Sequence, residues 1–179
     1  MSRLPAPSPV PDEALPLLEA GEALMGFRSR DAEVMAHSPK LLRAVSELVG
    51  AVYGPGGLKR LVGHVSSTAA GCRYCMAHTA NGAGGAGVEH ERVAAAWEYE
   101  ASPLFTDAER AALRIAHLGS LAPCAVEDGH VEELRSHFSP KACAEIVAVV
   151  AVFGFLNRWN GILDTELEPV PRAFAEAVG

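Results

Sequence analysis

A CxxC pair followed by histidine concentrates the chemistry of this chain in Cys72-Arg73-Tyr74-Cys75-Met76-Ala77-His78. Thiols at this spacing can cycle between dithiol and disulfide. An imidazole one helical turn beyond the second sulfur can take its proton. A cycle follows in which His78 deprotonates Cys75, the thiolate attacks a peroxide oxygen, and Cys72 resolves the sulfenic acid as a disulfide. An external dithiol would then restore the pair. The same residues admit two other readings. One is a Cys/His metal site of Cys72, Cys75 and His78 with a fourth ligand such as His64, although the second CxxC or HxxxH cluster that usually completes a zinc site is missing. The other is a non-catalytic helical oligomer that keeps a redox switch. Cys124 and Cys143 stand alone and read as small apolar filler.

A thiol of this kind needs an element that stabilises its anion, and the sequence provides one. Gly71 is a helix stop, so Cys72 falls in the first turn of the helix that follows, where unpaired N–H groups and the dipole favour a thiolate. Helix signals continue along the chain. Ser38-Pro39 and Ser139-Pro140 are caps followed by proline at the first helical position, and Thr106-Asp107-Ala108-Glu109 is a capping box. Leu41, Leu42, Val45, Leu48 and Val49 line one face of the helix after Ser38, and Gly54-Pro55-Gly56-Gly57 breaks it. Further helices are expected from about residue 11 to 26, 58 to 70, 72 to the Gly82–Gly87 run, 89 to 100, 106 to 121, 127 to 138 and 139 to 163. The glycine-rich run has no strand before it and reads as a flexible turn rather than a nucleotide loop. The run from Val147 to Phe155 is apolar all round, as in a helix at the centre of a bundle or at a subunit interface. Strand-like alternation is nowhere sustained, so the fold class is all-α. Residues 1–11 form a proline-rich arm, 12–168 a single helical domain, and 169–179 a tail with one short turn.

Composition narrows the function. With 49% apolar and 21% charged residues the chain has the makeup of a globular domain, and 179 residues can bury a core. A net charge of −7 without a basic block argues against nucleic acid as a partner. No apolar run reaches the ~20 residues of a membrane span, and no signal-like segment opens the chain, so the expected location is cytoplasmic. In a reducing compartment a CxxC pair points to redox or metal chemistry rather than a static disulfide. No cofactor is expected.

Ala70-Gly71-Cys72-Arg73-Tyr74-Cys75-Met76-Ala77-His78-Thr79 resembles the core of the alkylhydroperoxidase D-like, carboxymuconolactone decarboxylase superfamily. Ser38-Pro39-Lys40-Leu41-Leu42 resembles the helix before that core, Thr106 to Leu113 the helix after it, and Phe153 to Asn160 the closing helix. The resemblance spans roughly residues 35 to 168. It implies an alkylhydroperoxidase D-like helical bundle, assembly into a homo-oligomer, a small hydroperoxide substrate and a dithiol reductant. It also implies attack by Cys75, resolution by Cys72, and a proton relay through His78. Two positions depart from the family pattern. The histidine follows the second cysteine by three residues, with Thr79 at the fourth, and the upstream relay glutamate is Arg60, which cannot act as a base. His64, one turn after Arg60 and acting through Thr68 or a water, is the candidate to replace that carboxylate. The superfamily's decarboxylase activity does not rest on a CxxC pair, so the cysteines argue against that reaction.

Overall fold

In the computed structural model, residues 2–54 and 56–178 are described, and among them the chain is helical with no strand. Pro55, in the expected break, lies outside these residues. Three helix starts form for the reasons visible in the sequence. Ser38 Oγ accepts the Leu41 N–H at 3.4 Å and opens α3 (Pro39–Tyr53), with Pro39 in its first turn. Ser139 Oγ accepts from Ala142 N–H at 3.3 Å and opens α9 (Pro140–Leu163). Thr106 and Glu109 complete both halves of the capping box of α7 (Asp107–Gly119). Each such cap stabilises its helix by about 1 kcal/mol. α1 (Leu15–Met25) and α8 (Asp128–His137) also lie where expected.

The centre of the bundle is α4 (Gly57–Ala69), which packs against α5 (Arg73–Gly85), α7 and α9. Leu61, Val62 and Val65 on α4, Leu113 on α7 and Val149 on α9 are fully buried, each contributing about 1.5–3 kcal/mol of hydrophobic stabilisation. α9 is the longest element, and its apolar residues face outward as well as inward: Phe155 is 41% and Ile162 69% exposed. By length and composition alone this 24-residue helix could cross a membrane, with a mean hydropathy of 1.6 in its most apolar window, of which 33% is buried. Within it Lys141, Glu145, Asn157, Arg158 and Asn160 leave an unbroken apolar run only from Ile146 to Leu156, shorter than a span. Here it packs against α3, α4, α5, α7 and α8, and a shallow apolar groove lined by Val45, Leu48, Val152 and Phe155 runs between it and α3.

Elsewhere the structure departs from the sequence reading, and two of these departures, a short helix before α3 and the last helix, bring carboxylates to the site. A six-residue helix, α2 (Arg30–Met35), precedes α3; it is too short to show a periodicity. The expected helix from 89 to 100 divides into α6 (His90–Ala94) and a 3-10 turn (Ala95–Glu98). Gly82, Gly84 and Gly85 do not form a flexible turn but the last turns of α5. Gly84 marks a close approach: a Cβ there would lie 2.5 Å from the ring of Phe174. Phe174 belongs to α10 (Pro169–Val178), a ten-residue helix where a short turn was expected, docked on α5 and α6. The N-terminal arm is irregular yet tied down. Arg3 donates its N–H to the Leu163 carbonyl at 2.7 Å and its guanidinium to that of Ile162 at 2.8 Å, and Ser2 Oγ accepts the Glu166 N–H at 3.1 Å. These bonds tie the N-terminal arm to the end of α9 and to the segment that leads into α10.

Candidate active site

Gly71, at φ 69°, turns the chain between α4 and α5 in a conformation that a side chain resists. The turn makes Cys72 the N-cap of α5, and its sulfur accepts the Cys75 N–H at 3.4 Å. Both cysteines are free thiols and buried, Cys72 at 7% and Cys75 at 3% exposure. Their acidities are driven apart. The hydrogen bond from the Cys75 thiol, followed by burial acting the other way and then the N–H groups of Cys75 and Tyr74, brings Cys72 down to about 7. Cys75 is pushed far above the ordinary thiol range, first because it is the donor in that same bond, then by burial and the neighbouring Cys72 charge. The amide Nδ2 of Asn160, on α9, donates to Cys75 Sγ at 3.4 Å and opposes that rise. Within the pair Cys72 is thus the more acidic sulfur and Cys75 the donor that holds it.

His78 lies one turn past Cys75 on α5, and its hydrogen bond goes to a carboxylate: Nε2 is 2.7 Å from Glu168 Oε2. The imidazole stacks on Tyr74 with ring centroids 4.2 Å apart, and Phe27 meets its edge at 5.4 Å. Glu168 is the residue immediately before α10 and is 4% exposed. Its other oxygen, Oε1, accepts the Arg30 backbone N–H at 2.5 Å and the Tyr74 hydroxyl at 2.8 Å. Burial pushes the Glu168 carboxyl up, but the His78 hydrogen bond, the His78 charge and the Arg30 N–H outweigh it and hold the group below the usual range. The Tyr74 hydroxyl also reaches Asp31 Oδ1, on α2, at 3.2 Å, and Asp31 Oδ2 lies 3.5 Å from the Asn160 amide. Burial, then the charges of Asp31 and Glu168, keep Tyr74 protonated, so it has one hydrogen to give while its oxygen accepts the Asp31 N–H at 3.4 Å. A line of polar contacts thus runs from His78 through Glu168, Tyr74, Asp31 and Asn160 to the Cys75 sulfur, with the single Tyr74 hydrogen shared between the two carboxylates.

The other candidate residues are placed differently. His64 sits beside the site, and its Nδ1 meets Thr79 Oγ1 at 3.0 Å. Thr79 in turn donates to the Cys75 carbonyl at 2.7 Å. His64 is therefore tied to the helix that carries the thiols, not to a sulfur. Burial lowers its pKa, partly offset by a hydrogen bond with the Met76 backbone. Thr68, considered as its relay, bonds back to the His64 carbonyl at 2.9 Å. Arg60 stacks on the Tyr53 ring, 3.8 Å from its centroid. Because His78 faces Glu168 and His64 faces Thr79, the mixed Cys/His ligand set does not converge, and among the described residues no group of three His, Cys, Asp or Glu side chains is arranged to hold a metal. Cys143 is partly buried, but Cys124 is exposed rather than a filler. Sequence reasoning missed Asp31 and Glu168 and gave Asn160 no part in the site. Only Glu168 left a trace, an acid directly before proline at a helix start, the pattern already recognised at Ser38-Pro39 and Ser139-Pro140.

The model of the carboxymuconolactone decarboxylase family matches residues 39–118. Over nearly the whole chain the fold is similar to the debrominase Bmp8, in complex with 2,3,4-tribromopyrrole as a cysteine-to-alanine variant (TM-score 0.90, 32% identity, 99% of this chain and 97% of that one) and without ligand (TM-score 0.88, 34% identity, the same coverage). An uncharacterised peroxidase-related protein of Ralstonia eutropha JMP134 with an alkylhydroperoxidase AhpD core shares the fold at 22% identity (TM-score 0.83, 95% of this chain and 94% of that one). The uncharacterised protein YnjA of Escherichia coli K12 is 29% identical over 93 residues, 52% of this chain, and the match spans 51% of YnjA's own length. The all-helical framework agrees with these likenesses, and the chain belongs to the alkylhydroperoxidase D-like, carboxymuconolactone decarboxylase superfamily.

Proposed function

We propose that this protein is a dithiol-dependent reductase that delivers two electrons from Cys72 and Cys75 to a small electrophile, with a hydroperoxide as the first substrate class. The observation that carries the reading is the position of Cys72, an N-capping sulfur that accepts a backbone N–H with its partner thiol one turn away. In this proposal Cys72 attacks, exchanging the roles that the family resemblance implies, because it is the sulfur that ionises near neutral pH. The thiolate forms a bond to the terminal oxygen of R–O–O–H, the O–O bond breaks, and the departing alkoxide takes a proton to become an alcohol. Cys72 is then a sulfenic acid. Cys75 attacks that sulfur with His78, one turn away, as the base that takes its proton; the disulfide forms and the hydroxyl leaves as water with that proton. An external dithiol reduces the disulfide and is itself oxidised. Self-association across the apolar face of α3 and α9 is part of the same proposal.

A second substrate class is favoured by the likeness to Bmp8 at 32–34% identity over 99% of this chain. A brominated heteroaromatic would exchange C–Br for C–H, releasing bromide and a proton while the dithiol becomes a disulfide. Both classes use the same two electrons, so one experiment separates them. The reduced protein is given a dithiol and either cumene hydroperoxide or 2,3,4-tribromopyrrole, and alcohol, bromide and the Cys72–Cys75 disulfide are followed by mass spectrometry and ion chromatography. Catalytic alcohol formation supports the peroxidase, and catalytic bromide release the dehalogenase. If neither substrate is turned over and no disulfide forms, the reductase reading fails.

A further inference from the structure

The superfamily resemblance leaves an acid missing at Arg60, and the structure holds a different acid against His78. We propose that Glu168 is a positioning residue that sets which nitrogen of His78 carries the proton, so that the segment leading into the last helix fixes the basic form of the imidazole. This deepens the reductase reading above and rests on it for its link to turnover.

The argument turns on which way each polar group can point. Glu168 Oε1 faces the Arg30 backbone N–H at 2.5 Å and the Tyr74 hydroxyl at 2.8 Å. A backbone N–H can only donate, so this end of the carboxyl must be an acceptor whatever the protonation of its surroundings. Oε2, ionised and buried, then faces His78 Nε2 at 2.7 Å and accepts as well. His78 Nε2 must therefore carry a hydrogen, and in the neutral ring Nδ1 holds the lone pair. Tyr74 serves this arrangement twice: its hydroxyl holds Glu168 while its ring stacks on the imidazole at 4.2 Å. Docking holds the carboxyl in place. The end of α9 is tied to Arg3 and the segment after it to Ser2, and Phe174 lies on Gly84 of α5.

This polarity makes Glu168→Gln a sharp test. The Arg30 N–H obliges the glutamine to place its carbonyl at the Oε1 position, which turns its NH2 toward His78. Nε2 must then accept, and the neutral ring moves to the Nδ1–H form. With 15N-labelled imidazoles at about pH 8, where an ordinary histidine is neutral, His78 is expected as the Nε2–H tautomer in the native protein and as the Nδ1–H tautomer in the variant. Turnover of whichever substrate the native enzyme accepts should show kcat lower by about a hundredfold in Glu168→Gln with KM nearly unchanged, and a smaller loss in Glu168→Asp, which keeps the charge. An Nδ1–H tautomer in the native protein overturns the proposal, and that measurement needs no variant to fold. An unchanged tautomer in a folded Glu168→Gln protein overturns it too, as does an inverted tautomer with kcat within about twofold of native. The tautomer measurement needs no substrate, so failure of the reductase reading, in which neither substrate class is consumed, is told apart from failure of the Glu168 assignment.

Discussion

The sulfur side and the proton side of the site are assembled in opposite ways. Cys72, Tyr74, Cys75 and His78 come from seven consecutive residues, and the turn at Gly71 and the first turn of α5 suffice to arrange them. The groups that orient and hold them come from far along the chain: Asp31 lies 43 residues from Tyr74, Asn160 lies 85 from Cys75 and Glu168 lies 90 from His78. The local half determines what the site reacts with, since a thiolate at a helix N-terminus is a nucleophile wherever it sits. In the proposed reaction the distant half determines whether that reactivity becomes turnover, because it would govern where protons go. Substitutions should therefore separate the two halves: local changes should abolish chemistry, and distant ones should slow a step of it.

The largest expected effect lies on the sulfur side. Cys72→Ser removes the attacking thiolate, and dithiol-driven turnover should fall by a thousandfold or more, to about background. Cys75→Ser should still react once, leaving a sulfenic acid on Cys72 that an alkylating trap captures and mass spectrometry locates. A trapped sulfenic acid on Cys75 in Cys72→Ser, with none in Cys75→Ser, would return attack to Cys75. On the proton side, Asn160→Ala removes a donor to Cys75 that gains strength as that sulfur becomes an anion. A hydrogen bond to a charged group is worth roughly 1.5–3 kcal/mol, or about ten- to a hundredfold in the rate of disulfide closure. The measurement is the lifetime of the Cys72 sulfenic acid after a single equivalent of oxidant. An unaltered lifetime would mean that the 3.4 Å contact does not act on the reaction.

How much of this could be read in advance follows the same division. Periodicity and caps located the long helices, since Ser38, Thr106 and Ser139 act through neighbours three residues away. Cys72, Cys75 and His78 were legible because a helix relates residues three apart. Glu168 was not, because no local rule brings residue 168 to residue 78; that contact depends on α10 docking against α5. The two features that allow the docking were both read as disorder-like. Gly84 looked like part of a flexible turn, and the residues after Glu168 looked like a tail. His64 was selected for its spacing from Arg60, yet helix α4 turns it toward Thr79.

Gly84→Ala tests that link between the halves without touching either. A methyl group at 84 would sit 2.5 Å from the Phe174 ring, so α10 must shift or the ring must rotate away. Overpacking of this kind costs about 1–3 kcal/mol, and a lower melting temperature should report it. If α10 moves, Glu168 moves with it, and kcat should fall severalfold while alkylation of Cys72 keeps its native pH profile, with an inflection near 7. A matching shift in that profile would show that the sulfur side also depends on α10 and that the two halves are not separable. Phe174→Ala combined with Gly84→Ala should recover part of the lost activity by making room for the methyl group.

The smallest effect on rate is expected at His64, and its sign in stability separates a structural bridge from a relay. Burial lowers its pKa in the folded protein below that of the unfolded chain. Its contribution is present above the unfolded value, about 6.5, and is lost as pH falls through the lower folded value, since below both the unfolded state has bound a proton more readily. The native protein should therefore lose stability on acidification below about pH 6.5. His64→Gln, whose amide can still meet Thr79, should show a flatter dependence in urea melts across that window. Its turnover above neutral pH should stay within about threefold of native, because Thr79 connects His64 to the Cys75 backbone and not to a sulfur. A loss as large as that expected for Glu168→Gln would make His64 a working part of the proton side.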